Sequence, residues 1–158
     1  MRILFVCLGN ICRSPTAEGV MKGLAAREGL SGEIEIDSAG TGDWHVGSPA
    51  DTRATKAAAT RGIVLTSRAR QVTVDDFEDF DVIVAMDRSN HADLVVLGGG
   101  DSGRVRLLRE IAGDDDPDVP DPYYGGDDGF NEVLDIIERG CEALLAEVRP
   151  DGTGFREP

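Results

Sequence analysis

The sequence has few cysteines, few basic residues and no long apolar run. Its three cysteines form no even set of the kind that frames disulfide-stapled secreted domains. The apolar run at residues 3–7 is shorter than the core and cleavage site of a signal peptide, and no other run approaches membrane-spanning length. We therefore expect a cytoplasmic protein whose thiols serve chemistry or packing.

Basic residues are scarce relative to acidic ones. The chain has 16 Lys and Arg against 30 Asp and Glu, which gives a formal net charge of −14. This charge argues against binding to nucleic acid or to an anionic membrane surface. An anionic substrate would have to be captured by a local positive site that works against the field of the whole molecule.

The length and the hydrophobic pattern predict one α/β domain. With 158 residues, 41% of them hydrophobic, the chain can bury one sizeable core but not two. We expect a domain over residues 1–150 and a loose tail over 151–158. Segments typical of strands occur at residues 2–6, 33–36, 81–86 and 104–108. Segments typical of helices occur at residues 15–28, 51–61, 89–97 and 133–148, whereas residues 63–65 fit either a weak strand or a turn.

Alternating strands and helices indicate a mainly parallel sheet with right-handed crossovers and helices on both faces. In such a fold the site lies at the carboxyl ends of the strands. A segment rich in aspartate, proline and glycine runs over residues 113–129. A loop of this length is uncommon in a small domain, so we expect it to border the site. Its aspartates lack the spacing of a calcium-binding loop, and we expect most of them to be solvated.

Cys7 and Arg13 lie six positions apart, between the first predicted strand and the first predicted helix. Backbone N–H groups of such a turn, together with the positive end of the helix, can cradle an anion. Arg13 can donate to two phosphoryl oxygens at once, and the positive surroundings favour a nucleophilic thiolate at Cys7. Ser14 can donate to that thiolate when it becomes the leaving group. By spacing alone, Cys7 could also be only a small buried hydrophobic residue.

The segment VCLGNICRSPTAE at residues 6–18 is highly specific, and further matches follow at residues 37–41, 44, 69–71, 85–90 and 121–124. In these motifs, and in their order along residues 1–148, the sequence resembles the low-molecular-weight protein tyrosine phosphatases. The resemblance implies a four-stranded parallel sheet flanked by helices, the Rossmann-like or flavodoxin-like fold called phosphotyrosine phosphatase I-like. It also implies hydrolysis of phosphotyrosine and small aryl phosphates through a cysteinyl phosphate, with no cofactor and no metal.

The resemblance also implies roles for individual residues. Cys7 would be the nucleophile, Arg13 the phosphate clamp and Asp121 the general acid and then base. Asn10, Ser14 and Ser38 would form the network that holds the loop, and an asparagine suits the left-handed backbone of a tight turn. The substrate would contact the loop and three aromatic residues, namely Leu8, Gly9, Asn10, Ile11, Cys12, Ser14, Trp44, Tyr123 and Tyr124.

Several positions leave alternatives open. Ser67 replaces a histidine that many relatives carry, which predicts a weaker loop network. Cys12 could be a core thiol or, as the resemblance implies, a redox partner of Cys7. The aromatic residues could serve local loop packing instead of recognition. Cys141 is expected to pack in the last helix. His45 and His91 are isolated, without metal-ligand spacing, and are expected to be surface residues.

The expected partners are a phosphotyrosine protein or peptide, with phosphate and vanadate as inhibitors and the chain a monomer. An arsenate reductase of the same architecture would need additional thiols to relay a disulfide, and no cysteine lies between Cys12 and Cys141. A catalytically silent phosphotyrosine-binding module is a second alternative. The joint presence of Cys7, Arg13, Ser14 and Asp121 argues against it.

Overall fold

A four-stranded parallel sheet forms the centre of the computed structural model, which describes residues 1–100, 103–123 and 125–149. The strands are Arg2–Cys7 (β1), Glu35–Gly40 (β2), Val82–Ala85 (β3) and Val105–Leu107 (β4). Their order across the sheet is β2-β1-β3-β4, and every neighbouring pair is parallel. The predicted fold class is therefore confirmed.

The helices connect the strands and cover both faces of the sheet. They are Arg13–Arg27 (α1), Thr52–Ala59 (α2), Asp76–Asp79 (α3), Arg88–Leu97 (α4), Leu108–Ile111 (α5) and Asp127–Val148 (α6). No helix among the described residues is long and apolar enough to cross a membrane.

Strand β1 is central because its side chains are apolar on both faces. Ile3, Phe5 and Cys7 pack into the cluster that includes residues of α1 and α6. Leu4 and Val6 point to the opposite face and pack with residues of α4. This alternation follows from the two-residue period of a strand, and a strand buried on both faces lacks polar side chains.

The boundaries of several elements differ from the predictions. Helix α1 begins at Arg13, two residues before the predicted start at residue 15, with Cys12 at its N-cap. No strand forms at residues 63–65, and α3 and α5 were not predicted. Helix α6 begins six residues earlier than its apolar pattern indicated, which shortens the acidic loop to residues 113–126. Tyr124 and the tail at 151–158 lie outside the described residues.

Candidate active site

A cavity of about 360 Å³ opens at the carboxyl end of β1, above the phosphate-loop candidate at residues 7–13. Its lining combines this loop with residues from two distant segments: Cys7, Leu8, Gly9, Ile11, Cys12, Arg13, Trp44, His45, Asp121 and Tyr123. The end of β2 packs closely under the loop at Gly40, where a Cβ atom would lie 2.7 Å from the carbonyl oxygen of Leu8. Glycine is therefore required at this position.

The sulfur of Cys7 lies at the base of the cavity among hydrogen-bond donors. The backbone N–H of Asn10 donates to Sγ over 3.3 Å, and Oγ of Ser14 lies 3.0 Å from it. The N-terminus of α1 follows directly, and the partial positive charge of a helix N-terminus favours an anion there. These groups can donate hydrogen bonds to an anion at this position, such as a phosphoryl group above the sulfur.

Asn10 sets the direction of the hydrogen bonds around Cys7. Its φ of 56° lies in the left-handed region of the backbone. The backbone N–H of Arg70 donates to Oδ1 of Asn10 over 3.0 Å, so the amide group must face the serines. Nδ2 then donates to Ser14 and to Ser38, over 2.8 and 3.0 Å. The hydroxyl hydrogen of Ser14 is consequently available to donate to Cys7 at 3.0 Å or to the carbonyl oxygen of Ala39 at 3.4 Å, and the shorter distance favours Cys7.

The network ends at Glu18, a buried carboxylate on α1 that the sequence analysis did not single out. Ser38 donates its hydroxyl hydrogen to Oε1 of Glu18 over 2.6 Å, and Lys22 donates to Oε2 over 2.6 Å. The i,i+4 spacing of these two residues on a helix is the signal that could have identified the pair. A weaker loop network was expected because Ser67 replaces a histidine. Among the described residues Glu18 anchors this network, and no hydrogen bond joins the network to Ser67.

Arg13 is buried, and only part of its guanidinium is free to bind an anion. Nη1 donates to Oδ2 of Asp87 over 2.6 Å and to the carbonyl oxygen of Val119 over 3.0 Å. Burial opposes the charge, but the Cys7 sulfur and the hydrogen bond to Asp87 outweigh it and raise the pKa of Arg13. The edge formed by Nε and Nη2 has no hydrogen bond among the described residues and can donate to two phosphoryl oxygens.

Asp121 brings a carboxylate to the cavity beside Arg13. Its Oδ2 lies 3.6 Å from Nη2 of Arg13, and its Oδ1 accepts a 3.0 Å hydrogen bond from the N–H of Tyr123. The side chain is about one third exposed, since its relative accessibility is 35%. Asp121 is thus held at the rim, within reach of a group bound over Cys7.

Three other aspartates of the loop, Asp114, Asp116 and Asp118, pair with arginines on the surrounding elements. Arg88 donates to both carboxylate oxygens of Asp118, and this hydrogen bonding lowers the pKa of Asp118. Asp114 accepts hydrogen bonds from Arg109 and Arg139. The expectation of a mostly solvated acidic loop is wrong for Asp114 and Asp118, whose ion pairs fasten the loop upstream of Asp121.

The comparisons with known proteins agree with this geometry. The family model for low molecular weight phosphotyrosine protein phosphatases matches residues 2–153. The chain belongs to this family. It is similar to the low molecular weight protein-tyrosine-phosphatase YfkJ of Bacillus subtilis, at 46% identity over 94% of this chain and 96% of that one.

Solved structures of other low molecular weight phosphatases share the fold. A crystal structure of a protein tyrosine phosphatase from Entamoeba histolytica, with Hepes in its active site, superposes with a TM-score of 0.88. It has 40% identity and covers 96% of this chain and 98% of that one. A Drosophila arginine phosphatase has a TM-score of 0.87 at 34% identity, with coverage of 96% and 99%. The chain is therefore a hydrolase of the protein tyrosine phosphatase class.

The walls of the cavity in this low molecular weight phosphatase are largely aromatic. Trp44 is exposed at the rim, with a relative accessibility of 68%. His45 was expected to be a surface residue, but it lines the cavity and is half-buried. Its ring packs against the backbone of Gly9 and lies 6.2 Å from the ring of Tyr123. Periodicity could not place His45 there, because it lies on a loop.

The remaining thiols of the phosphatase are buried. Burial raises the pKa of Cys12 to about 12, and Cys12 lies in a small cluster with Phe130 of α6. Cys141 is fully buried in the main core, as predicted, and burial raises its pKa as well. Both thiols are therefore neutral at pH 7. Among the described residues, no group of three or more acidic, cysteine or histidine side chains could hold a metal ion.

Proposed function

We propose that this phosphatase hydrolyses phosphotyrosine in proteins or peptides through a cysteinyl phosphate on Cys7. The observation that supports this most directly is the position of Sγ, which lies beneath the cavity with N–H and O–H donors around it. Arg13 lines the same cavity, and Oδ2 of Asp121 lies 3.6 Å from its Nη2. A nucleophile, an anion clamp and a general acid are thus present in one cavity.

In the first step the Cys7 thiolate attacks phosphorus and the P–O bond to the tyrosyl oxygen breaks. Asp121 donates its proton to that oxygen, so that a neutral phenol leaves. The loop N–H groups and Arg13 stabilise the charge on the equatorial oxygens during the transfer.

In the second step water attacks the phosphorus of the cysteinyl phosphate and the P–S bond breaks. Asp121, now ionised, takes a proton from the water. Ser14 donates a hydrogen bond to the departing thiolate, in the direction that the Asn10 network enforces. Inorganic phosphate leaves and the enzyme returns to its starting state.

The cavity favours an aryl phosphate over a phosphorylated arginine. Trp44, His45 and Tyr123 offer ring surfaces against which a phenyl group can pack. Asp121 is the only carboxylate among the lining residues of the described chain, and in the proposed mechanism it serves as the proton donor. A guanidinium substrate would need a further acidic partner. Arginine phosphatase activity, for which the Drosophila relative is named, is therefore only the second candidate.

A phosphate-release assay with matched peptides tests this proposal. We expect rapid release from a phosphotyrosine peptide, little release from its phosphoserine or phosphoarginine counterparts, and inhibition by vanadate. Cys7→Ser should abolish turnover but retain peptide binding, because the hydroxyl is far harder to ionise than the thiol. Near-normal turnover by that variant would exclude the covalent mechanism, and preferred release from phosphoarginine would exclude the substrate assignment.

We further infer that the chain acts as a cytoplasmic monomer and that Cys12 protects Cys7 from oxidation. All three cysteines are free thiols, which fits a reducing compartment. Sedimentation of the purified protein, which measures its mass in solution, tests whether it is a monomer.

Peroxide would convert Cys7 to a sulfenic acid, and attack by the Cys12 thiol would form a disulfide and release water. Mass spectrometry of peroxide-treated protein, with Cys12→Ser as the control, tests the disulfide.

A further inference from the structure

Arg53, on the first turn of α2, connects the phosphate loop with the loop that carries Asp121. On one side it pairs with Asp51, the N-cap of the helix, through Nε at 3.3 Å and Nη2 at 3.2 Å. The backbone N–H of Asp51 donates in turn to the carbonyl oxygen of Ile11 in the phosphate loop, over 2.8 Å. Arg53 is therefore fixed relative to the residues that surround Cys7.

On its other side Arg53 holds Tyr123 by both backbone and ring. Nη2 donates to the carbonyl oxygen of Tyr123 over 2.9 Å, and the guanidinium carbon lies 5.5 Å from the centre of the tyrosine ring. The same guanidinium lies 4.8 Å from the ring centre of Phe130, near the start of α6. Three separate contacts thus define its position between α2, α6 and the acidic loop.

Tyr123 passes this constraint on to Asp121. Its N–H donates to Oδ1 of Asp121, and this hydrogen bond orients the carboxylate so that Oδ2 faces Arg13. Upstream of Asp121 the ion pair between Asp118 and Arg88 secures the loop, whereas downstream the chain continues through two glycines at 125 and 126. Glycine adds backbone freedom, so a side-chain contact is needed on that side to keep the acid in place.

We propose that Arg53 is a positioning residue for the general acid. It holds Tyr123 so that the carboxyl group of Asp121 points at the oxygen of the departing phenol. Arg53 touches no reacting atom, and its effect depends on Asp121 acting as the acid in the proposed function. Loss of Arg53 should therefore impair those substrates whose leaving groups need a proton, and spare those whose leaving groups do not.

The test compares kcat/KM for phenyl phosphate with that for 2,4-dinitrophenyl phosphate, whose phenol is acidic enough to leave unprotonated. Misplacement of a catalytic group by about 1 Å can cost about 100-fold. We expect Arg53→Ala to lower kcat/KM about 10- to 100-fold for phenyl phosphate and only about 2-fold for the dinitrophenyl ester. Arg53→Lys should be intermediate, because an ammonium cannot bond the carboxylate and the carbonyl in the planar geometry of the fork.

Arg61 offers a matched control. It lies just beyond the end of α2 and also binds α6, through Asp135 and Glu138, and none of its hydrogen bonds within the described chain reaches the loop of Asp121. Arg61→Ala should lower the melting temperature without changing the ratio between the two substrates. An equal change of this ratio in both arginine variants would reduce Arg53 to a structural role and overturn the proposal.

The variant Asp121→Asn separates this proposal from the function on which it rests. If Asp121→Asn shows no leaving-group dependence, the assignment of the acid is wrong. If Asp121→Asn shows it and Arg53→Ala does not, the positioning role is wrong. We expect both to show it, and the double variant to be no slower on phenyl phosphate than Asp121→Asn alone, because the two residues act in one step.

Discussion

Asn10→Asp is a nearly isosteric substitution that reverses the hydrogen bonding at the centre of the site. The asparagine is buried and donates to Ser14 and Ser38 while its oxygen accepts from the N–H of Arg70. Aspartate tolerates the left-handed backbone at this position and keeps the acceptor for Arg70. It replaces the donor group with a second acceptor, so the hydroxyl of Ser14 would turn towards the new carboxylate and away from Cys7.

The magnitude follows from the bonds that are lost. Ser38 loses its hydrogen bond from Asn10 and Cys7 loses the one from Ser14; at about 0.5–1.5 kcal/mol each, the free energy of unfolding falls by about 1–3 kcal/mol. Loss of the Ser14 hydrogen bond to the thiolate, a charged acceptor, is worth about 1.5–3 kcal/mol. At about 1.4 kcal/mol for each tenfold change, kcat should fall by about 10- to 150-fold.

Steady-state hydrolysis of p-nitrophenyl phosphate and thermal unfolding measure the two effects. Ser14→Ala removes the same hydrogen bond to Cys7 and should reduce kcat by a similar factor. The double variant should be little worse than either single variant, since both remove one interaction. The reasoning is refuted if Asn10→Asp retains kcat within about threefold of the wild type while Ser14→Ala does not, or if the two losses multiply.

Three further outcomes are expected. Asp121→Asn should slow phosphotyrosine hydrolysis by about 10²- to 10⁴-fold, whereas Asp118→Asn, which removes only an ion pair of the loop, should cost far less in kcat/KM. Iodoacetamide should label Cys7 in the folded protein and leave Cys12 unmodified, because burial raises the pKa of Cys12 to about 12. Peptide mass spectrometry identifies the labelled cysteine. Since hydrogen bonding from Arg88 lowers the pKa of Asp118, their pair stabilises the fold above about pH 4 and is lost as the pH falls through the lower folded pKa. Asp118→Asn should therefore reduce the melting temperature at pH 7. Between pH 7 and acid pH, the melting temperature of this variant should decrease less than that of the wild type.

Much of the fold could be predicted because its signals are local. The uninterrupted apolar run of β1 predicts a central strand, and the alternation of strands with helices predicts parallel pairing. Short elements were missed for the same reason, since four residues of α3 or α5 are too few to show a helical period. The early start of α6 depends on Phe130, which packs against Ile11 and Cys12 across the fold.

The sequence by itself determined the chemical groups of the site, because Cys7, Arg13 and Ser14 lie on one continuous turn whose backbone is set locally. Only the tertiary structure decided which distant groups orient them. The N–H of Arg70 sets the direction of the Asn10 network from 60 residues away, and Arg53 reaches the acidic loop from 70 residues away. Such pairings depend on how helices and loops pack on the sheet, and no local pattern in the chain encodes the distance between two side chains on separate elements.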